Sequence, residues 1–285
     1  MSMFREASFA APAIELNVAS GPPQGPPLVL LHGVVRRWQD FLPIAADLAS
    51  RWQLHGIDHR GHGRSGRTAP GYRVADYAED AAAFVERGLD QPAVIYGHSL
   101  GAMVALAVAA AAPDRVRALV LEDPPCETLG TRIEHTTYPE MFAAWRKLAE
   151  TRAGVPELAA RMADVVLTSH DGIRVRIGDV RDATSLRFTA SCLSQLDPRV
   201  LDPLVAGTWY EGYSLDALLP RVKCPVLILQ SDASAGGMLS DDDAERLLRG
   251  LPDATRVRFP GVGHLIHWEA PELALRHVLA FLESL

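Results

Sequence analysis

The chain has 285 residues, 48% hydrophobic and 22% charged, the balance of a soluble globular protein large enough for one α/β core with an insertion, or for two domains. Its formal net charge of −7 argues against a nucleic-acid surface. The basic residues are nearly all arginines scattered singly; Lys147 and Lys223 are the only lysines. Cys126, Cys192 and Cys224 are odd in number and form no Cys-x-x-Cys pair, which suits free buried thiols in a reducing compartment. Residues 1–16 lack the basic start and apolar core of a signal peptide. The longest apolar run, Ala102 to Ala112, spans eleven residues, too short for a bilayer. A cytoplasmic protein without membrane or nucleic-acid partners is expected, leaving open whether it forms a homo-oligomer.

Taken in order, Ala13 to Ala19 alternates loosely and reads as an early edge strand, followed by a Pro/Gly-rich connector over 21–27. Leu28 to Leu31 is a continuous apolar run ending in His32-Gly33, the pattern of a buried parallel strand stopping at a special turn. Gln39 to Ser50 has helical spacing. Trp52 to Ile57 is a second strand, ending in Asp58-His59-Arg60-Gly61-His62-Gly63-Arg64-Ser65-Gly66. Arg67-Thr68-Ala69-Pro70-Gly71 is a loop. Val74 to Arg87 is helical, with Gly88 as its stop. Ala93 to Tyr96 is a strand, Ala102 onward an alanine-rich helix, and Ala118 to Leu121 another strand. Such alternation predicts an α/β fold, a mostly parallel sheet with helices on both faces.

The rhythm breaks after Asp123. Residues 124–220 offer helical segments at Glu140 to Arg152, Pro156 to Thr168 and Asp179 to Gln195, and no convincing strand alternation. It returns with Pro225 to Leu229, a helix near Asp241 to Arg249, a strand at Thr255 to Phe259 and a closing helix from Pro271. The expected division is therefore a core of residues 1–123 and 221–285, with residues 124–220 inserted as a helical cap. An insertion at the carboxyl ends of parallel strands lies over the place where open α/β sheets bind ligands.

Between the third strand and the alanine-rich helix lies Gly97-His98-Ser99-Leu100-Gly101. A strand turning sharply into a helix around Ser99 leaves no room for side chains at 97 and 101, so glycines sit there. This is the Gly-x-Ser-x-Gly nucleophile elbow in its required context. A serine nucleophile needs a base, an orienting acid and oxyanion donors. His264, in Pro260-Gly261-Val262-Gly263-His264 beyond the last strand, is the base candidate, with His267 as backup. The Leu100 N–H, after the nucleophile, and the Val34 N–H, after His32-Gly33, are the oxyanion candidates. Trp38, Met103, Trp145 and Trp209 are candidate apolar walls of the substrate pocket.

Together, Leu31-His32-Gly33, the Asp58 to Ser65 segment, the Ser99 elbow and Gly261-Val262-Gly263-His264 resemble the α/β-hydrolase superfamily over nearly all of the chain outside the insertion. The resemblance implies a cofactor-free hydrolase with a serine triad. The family commonly places the acid in a Gly-x-x-Asp turn after the strand here spanning Pro225 to Leu229. In this chain that turn reads Gln230-Ser231-Asp232-Ala233-Ser234, so Ser234 holds the usual position and Asp232 falls two residues early. Some members, haloalkane dehalogenases among them, place the acid after the preceding core strand, which matches Asp123 here. Asp123 and Asp232 are thus both candidate acids, Asp123 taken first. The serine at position 99 counts against dehalogenase and epoxide-hydrolase activity, because those enzymes use Asp there.

Gly61 to Gly66 fits Gly-x-Gly-x-x-Gly, but a loop rather than a helix follows it, so dinucleotide binding is not expected. His55, His59 and His62 lack the spacing of a metal site, and no metal is expected. The expected reaction is hydrolysis of a medium-sized, largely uncharged carboxylic ester or lactone through an acyl-enzyme on Ser99. Hydrolysis of a carbon–carbon bond in a diketone would use the same triad. A non-catalytic ligand-binding protein on this fold is the third reading.

Overall fold

The computed structural model describes residues 3–68, 71–151, 153–168 and 172–285. Ala69 and Pro70 of the predicted loop and Arg152 of a predicted helix lie outside the described residues. In chain order the elements are β1 (Arg5–Ala10), β2 (Glu15–Ser20), β3 (Pro27–Leu31), α1 (Leu42–Ala49), β4 (Gln53–Ile57), α2 (Val74–Arg87), β5 (Ala93–His98), α3 (Leu100–Ala111) and β6 (Val116–Glu122). Then come α4 (Tyr138–Glu150), α5 (Val155–Ala163), β7 (Val166–Thr168), β8 (Arg174–Arg176), α6 (Ile177–Val180), α7 (Ala183–Leu193), α8 (Asp202–Ala206) and α9 (Leu215–Leu218). The chain closes with β9 (Val226–Ser231), α10 (Asp241–Gly250), β10 (Ala254–Phe259), α11 (Ile266–Glu269) and α12 (Pro271–Glu283).

Eight strands form one sheet in the order β1-β2-β4-β3-β5-β6-β9-β10. β1 and β2 pair antiparallel, as do β2 and β4, and the remaining pairs are parallel. This is the α/β architecture expected from the alternation. Side chains on successive positions go to opposite faces. Leu28, Leu30, Tyr96, Val120 and Leu229 pack on the α1/α12 side. Val29, Leu31, Ile95, Leu121 and Ile228 pack on the α2/α3 side. Both faces are covered, which is why β3, β5 and β9 read as unbroken apolar runs rather than as alternation.

Chain direction across the sheet reverses at β3. The chain leaves β3 for β4 on one side and later returns to β5 on the other. The carboxyl ends of β3 and β5 therefore border the crevice where such sheets place their ligands.

Three expectations about elements are corrected. The edge strand is β1, largely exposed and without an apolar alternation to betray it, while the strand expected as the edge is the second one in, with four consecutive buried residues. The segment after β6 is not purely helical. Helix α5 ends at Ala163, and Val166–Thr168 pairs antiparallel with Arg174–Arg176 in a separate hairpin; three-residue strands are too short to show a period. The predicted helix from 179 to 195 is split at Asp182, whose side chain accepts from the Ser185 N–H and caps α7. Among the described residues, no helix is long and apolar enough to cross a membrane. Cys126, Cys192 and Cys224 are buried and unpaired.

Candidate active site

Ser99 follows directly on β5 and precedes α3, with φ of +54° and ψ of −116°. Two close approaches force this turn. A Cβ on Gly97 would lie 2.2 Å from the Gly101 carbonyl oxygen, and a Cβ on Gly101 would lie 1.9 Å from the Leu31 carbonyl oxygen. Glycine at both positions lets α3 press onto the ends of β3 and β5. The Ser99 N–H donates to the Glu122 carbonyl, tying the elbow to β6.

The loop after β3 approaches Ser99 equally closely. A Cβ on Gly33 would lie 2.9 Å from His98 Nδ1 and 3.1 Å from Ser99 Cβ. Two buried histidines hold this loop. His32 donates from Nδ1 to the Gly33 carbonyl at 2.7 Å and accepts from the His59 N–H at Nε2. His62 donates from Nδ1 to the Arg60 carbonyl and accepts from the Val35 N–H at Nε2, 3.2 Å away. Both rings must be neutral to accept at Nε2. Burial accordingly pushes the His32 pKa well below its ordinary value and that of His62 down to about 4. With Gly33 O and Val35 N–H engaged, the intervening Val34 N–H makes no hydrogen bond among the described residues, and neither does the Leu100 N–H.

Asp123 lies one residue past the end of β6, fully buried, with φ of +44°. Its carboxylate accepts from the Met238 N–H at 2.8 Å, the Leu239 N–H at 3.1 Å and the Ser231 N–H at 3.3 Å. Its Oδ2 is 2.6 Å from His264 Nδ1. Burial alone would raise the Asp123 pKa; the His264 bond and the backbone donors outweigh it and hold the carboxyl below its usual range. Asp232, the alternate acid, is placed elsewhere. Its side chain accepts from the Ser234 N–H and hydroxyl and from the Gly261 N–H, the role of a turn-capping residue.

His264 and Ser99 line one small cavity, about 40 Å³, together with Val34, Arg36, Trp145 and Arg181. The loop carrying His264 is anchored from the turn at Ser99: His98 donates from Nε2 to the His264 carbonyl at 3.0 Å. Burial and the neighbouring His264 push the His98 pKa down to about 3, so that ring is neutral. His267, the backup base, points the other way. It lies on the α1/α12 side of the sheet, bonded through Nδ1 to Glu122 at 2.7 Å and 3.4 Å from Asp40 through Nε2. Burial would lower its pKa, but the two carboxylates raise it to about 10.

Of the expected pocket walls, Trp145 lines this cavity. Met103 lines a larger neighbouring one of about 360 Å³, with Cys126, Tyr210 and Tyr213. Trp38 packs on the α1/α12 side against Phe4, with Gly56 leaving room for its Cβ. Trp209 is buried in the α2/α3-side core, against Tyr210. Sequence reasoning missed His98, Arg36 and Arg181. The first two flank motifs already singled out, at the elbow and after Val34; Arg181 follows a four-residue helix and carries no local signal. His55, His59 and His62 form part of no group of three or more His, Cys, Asp or Glu side chains able to hold a metal among the described residues. Gly61 and Gly63 take left-handed conformations in a tight loop around Asp58.

Comparison with known proteins agrees with this architecture. A family model for the alpha/beta hydrolase fold matches residues 26–271. A 2-(acetamidomethylene)succinate hydrolase of Mesorhizobium japonicum is 26% identical over 280 residues, covering 95% of this chain and 92% of its own length. The esterase YbfF of Escherichia coli is 25% identical over 271 residues, covering 95% and 98%. Among solved structures, an N-formylmaleamic acid deformylase of Pseudomonas putida superposes with a TM-score of 0.76 at 20% identity, covering 96% of this chain and all of that one. The chain belongs to the α/β-hydrolase fold family, a family of hydrolases.

Proposed function

For this α/β hydrolase we propose a serine mechanism in which Ser99 is the nucleophile, His264 the base and Asp123 the orienting acid. The observation that carries the reading is the meeting of Ser99 and His264 on one cavity, with His264 Nδ1 2.6 Å from a buried Asp123 carboxylate. A proton on Nδ1, donated to Asp123, leaves Nε2 unprotonated and able to take the Ser99 proton. Ser99 Oγ then attacks a carbonyl carbon. The Val34 and Leu100 N–H groups, free of other partners, receive the oxyanion, each worth about 2.7–4 kcal/mol in the transition state. His264 returns the proton to the leaving group, and water activated by the same ring cleaves the acyl-enzyme.

Residues 124–220 serve as a cap: α4 brings Trp145, and the turn after α6 brings Arg181, to the cavity walls. The bond cleaved is that of a carboxylic ester or lactone. Labelling of folded protein by a fluorophosphonate, with peptide mapping to Ser99, tests the nucleophile. A panel of esters, lactones and diketones assayed with wild type and Ser99→Ala tests the bond class. Full ester turnover by Ser99→Ala, or folded wild type that resists the probe, contradicts the reading; turnover of diketones alone moves it to carbon–carbon hydrolysis.

A further inference from the structure

The walls of the Ser99 cavity carry more hydrogen-bond donors than the protein itself uses. Arg36 lies two residues beyond Val34 and is 5% exposed. Its nearest carboxylate is Asp40, at 3.7 Å, which is also shared with His267 and with the Trp268 indole N–H. The Arg36 guanidinium lies 5.4 Å from the Phe188 ring centre and 5.7 Å from that of Trp268, and its Nη1 is buried without a hydrogen bond. Arg181, largely buried on the same cavity, has no side-chain hydrogen bond or ion pair among the described residues. The indole Nε1 of Trp145, a third wall residue, is buried and unbonded too.

Such an arrangement is costly in an empty site. Two guanidiniums share a small, water-poor space, and a desolvated cation without an acceptor is unfavourable. Burial and the Arg36 charge lower the Arg181 pKa, the opposite of what a carboxylate partner does to the arginines it binds elsewhere in the chain. Arginine nevertheless keeps its charge at neutral pH. The carboxylates that face Arg181, Glu269 and Asp182, favour its charge from a distance but neither bonds to it: Glu269 accepts from the Gly263 N–H and Asp182 from the Ser185 N–H. The protein as a whole carries a formal charge of −7, so this cavity is a cationic spot within an anionic molecule, the geometry that focuses a field on an incoming anion.

We propose that the substrate carries a carboxylate held between Arg36 and Arg181, with its scissile carbonyl against Ser99. The second half of that statement rests on the serine-hydrolase reading; the anion site does not. A carboxylate suits the planar guanidinium fork, which it meets through two parallel bonds. This replaces the largely uncharged substrate expected from the sequence.

Two esters of nearly equal shape separate charge from size: monomethyl succinate, and methyl levulinate, in which an acetyl group stands for the carboxylate. Wild type is expected to favour the succinate ester by about 30-fold in kcat/KM, the scale of a charge-assisted hydrogen bond. Arg181→Gln should bring the preference to about threefold or less, and Arg181→Lys should keep an intermediate value. Circular dichroism establishes that both variants fold. Equal turnover of the two esters by wild type overturns the proposal, as does a preference unchanged in Arg181→Gln. A second readout is independent of catalysis: calorimetric binding of malonate, succinate and glutarate to wild type and to Arg181→Gln. If neither ester is cleaved but one of these dianions binds wild type and is lost in Arg181→Gln, the ester reading fails and the anion site stands. If none of the three binds wild type, the anion site fails whatever the ester assays show.

Discussion

Strand β6 ends in Glu122, with Asp123 directly after it, and the stretch after β10 offers each of them a histidine, three residues apart: His267 in α11 and His264 in the loop before it. Asp123 meets His264 at 2.6 Å and Glu122 meets His267 at 2.7 Å. The bonds are almost the same length, yet the surroundings differ. Glu122 points to the α1/α12 side, where Tyr96 donates to it at 2.6 Å and Asp40 faces the far nitrogen of His267. With a carboxylate on either side and no exposure, His267 stays an imidazolium, its pKa raised to about 10, while Glu122 is driven down to about 2. His264 has one carboxylate, is 12% exposed, and opens onto the cavity of Ser99. On the proposed mechanism, a His–carboxylate bond alone does not mark the base. What matters is whether the second nitrogen is left for substrate chemistry or committed to another acid.

The two pairs should fail in different ways when broken. Asp123→Asn should lower kcat by about 10⁴, because an amide favours the wrong imidazole tautomer; steady-state rates on the best ester of the panel measure it, and a loss under tenfold would erase the distinction. Glu122→Gln should instead cost stability, about 3–5 kcal/mol, by leaving a buried imidazolium short of a partner. Urea melts read that loss, and unchanged stability with abolished turnover would place Glu122 in the chemistry.

A pH series sharpens the same contrast. The His267 pKa rises on folding from 6.5 to about 10, so its contribution is complete below about pH 6.5 and is lost as pH climbs through about 10. Glu122 falls from 4.5 to about 2, so its contribution is complete above about pH 4.5 and lost as pH drops towards 2. The Tm gap between wild type and His267→Gln should thus be widest near pH 5–6.5 and shrink steadily towards pH 10. A gap that widens towards pH 10 reverses the assigned sign. The smallest effect is expected from Asp232→Asn, whose exposed carboxylate caps a turn away from His264; kcat/KM should stay within about twofold.

Much of this was legible in the sequence because its causes are local. The buried parallel strands show as apolar runs, and the elbow shows because a close approach of backbone to backbone admits only glycine. The choice between Asp123 and Asp232 was not local. It depends on whether the loop after β10 lays His264 over β6 or over the turn after β9, and no spacing encodes that. The hairpin β7–β8 and strand β1 were hidden by shortness and exposure, which remove the apolar period. Arg36 and Arg181 were hidden differently: they read as two of many scattered arginines until the fold brought residues 145 positions apart onto one cavity.

Among the described residues, four non-glycine residues hold left-handed backbone: Val35, Ser99, Asp123 and Cys126. Three of them stand at the carboxyl ends of neighbouring strands, beside the cavity, where each costs about 1–3 kcal/mol that the rest of the fold must offset. Laboratory evolution of this protein should feel that gradient. A library ranked only by heat resistance would reward Ser99→Gly, which relaxes the backbone and removes the proposed nucleophile, but not Asp123→Gly, which would strand the three backbone donors its carboxylate satisfies. A useful thermostabilisation campaign would freeze those positions from the start and look for its gains in the outlying loops and the exposed hairpin.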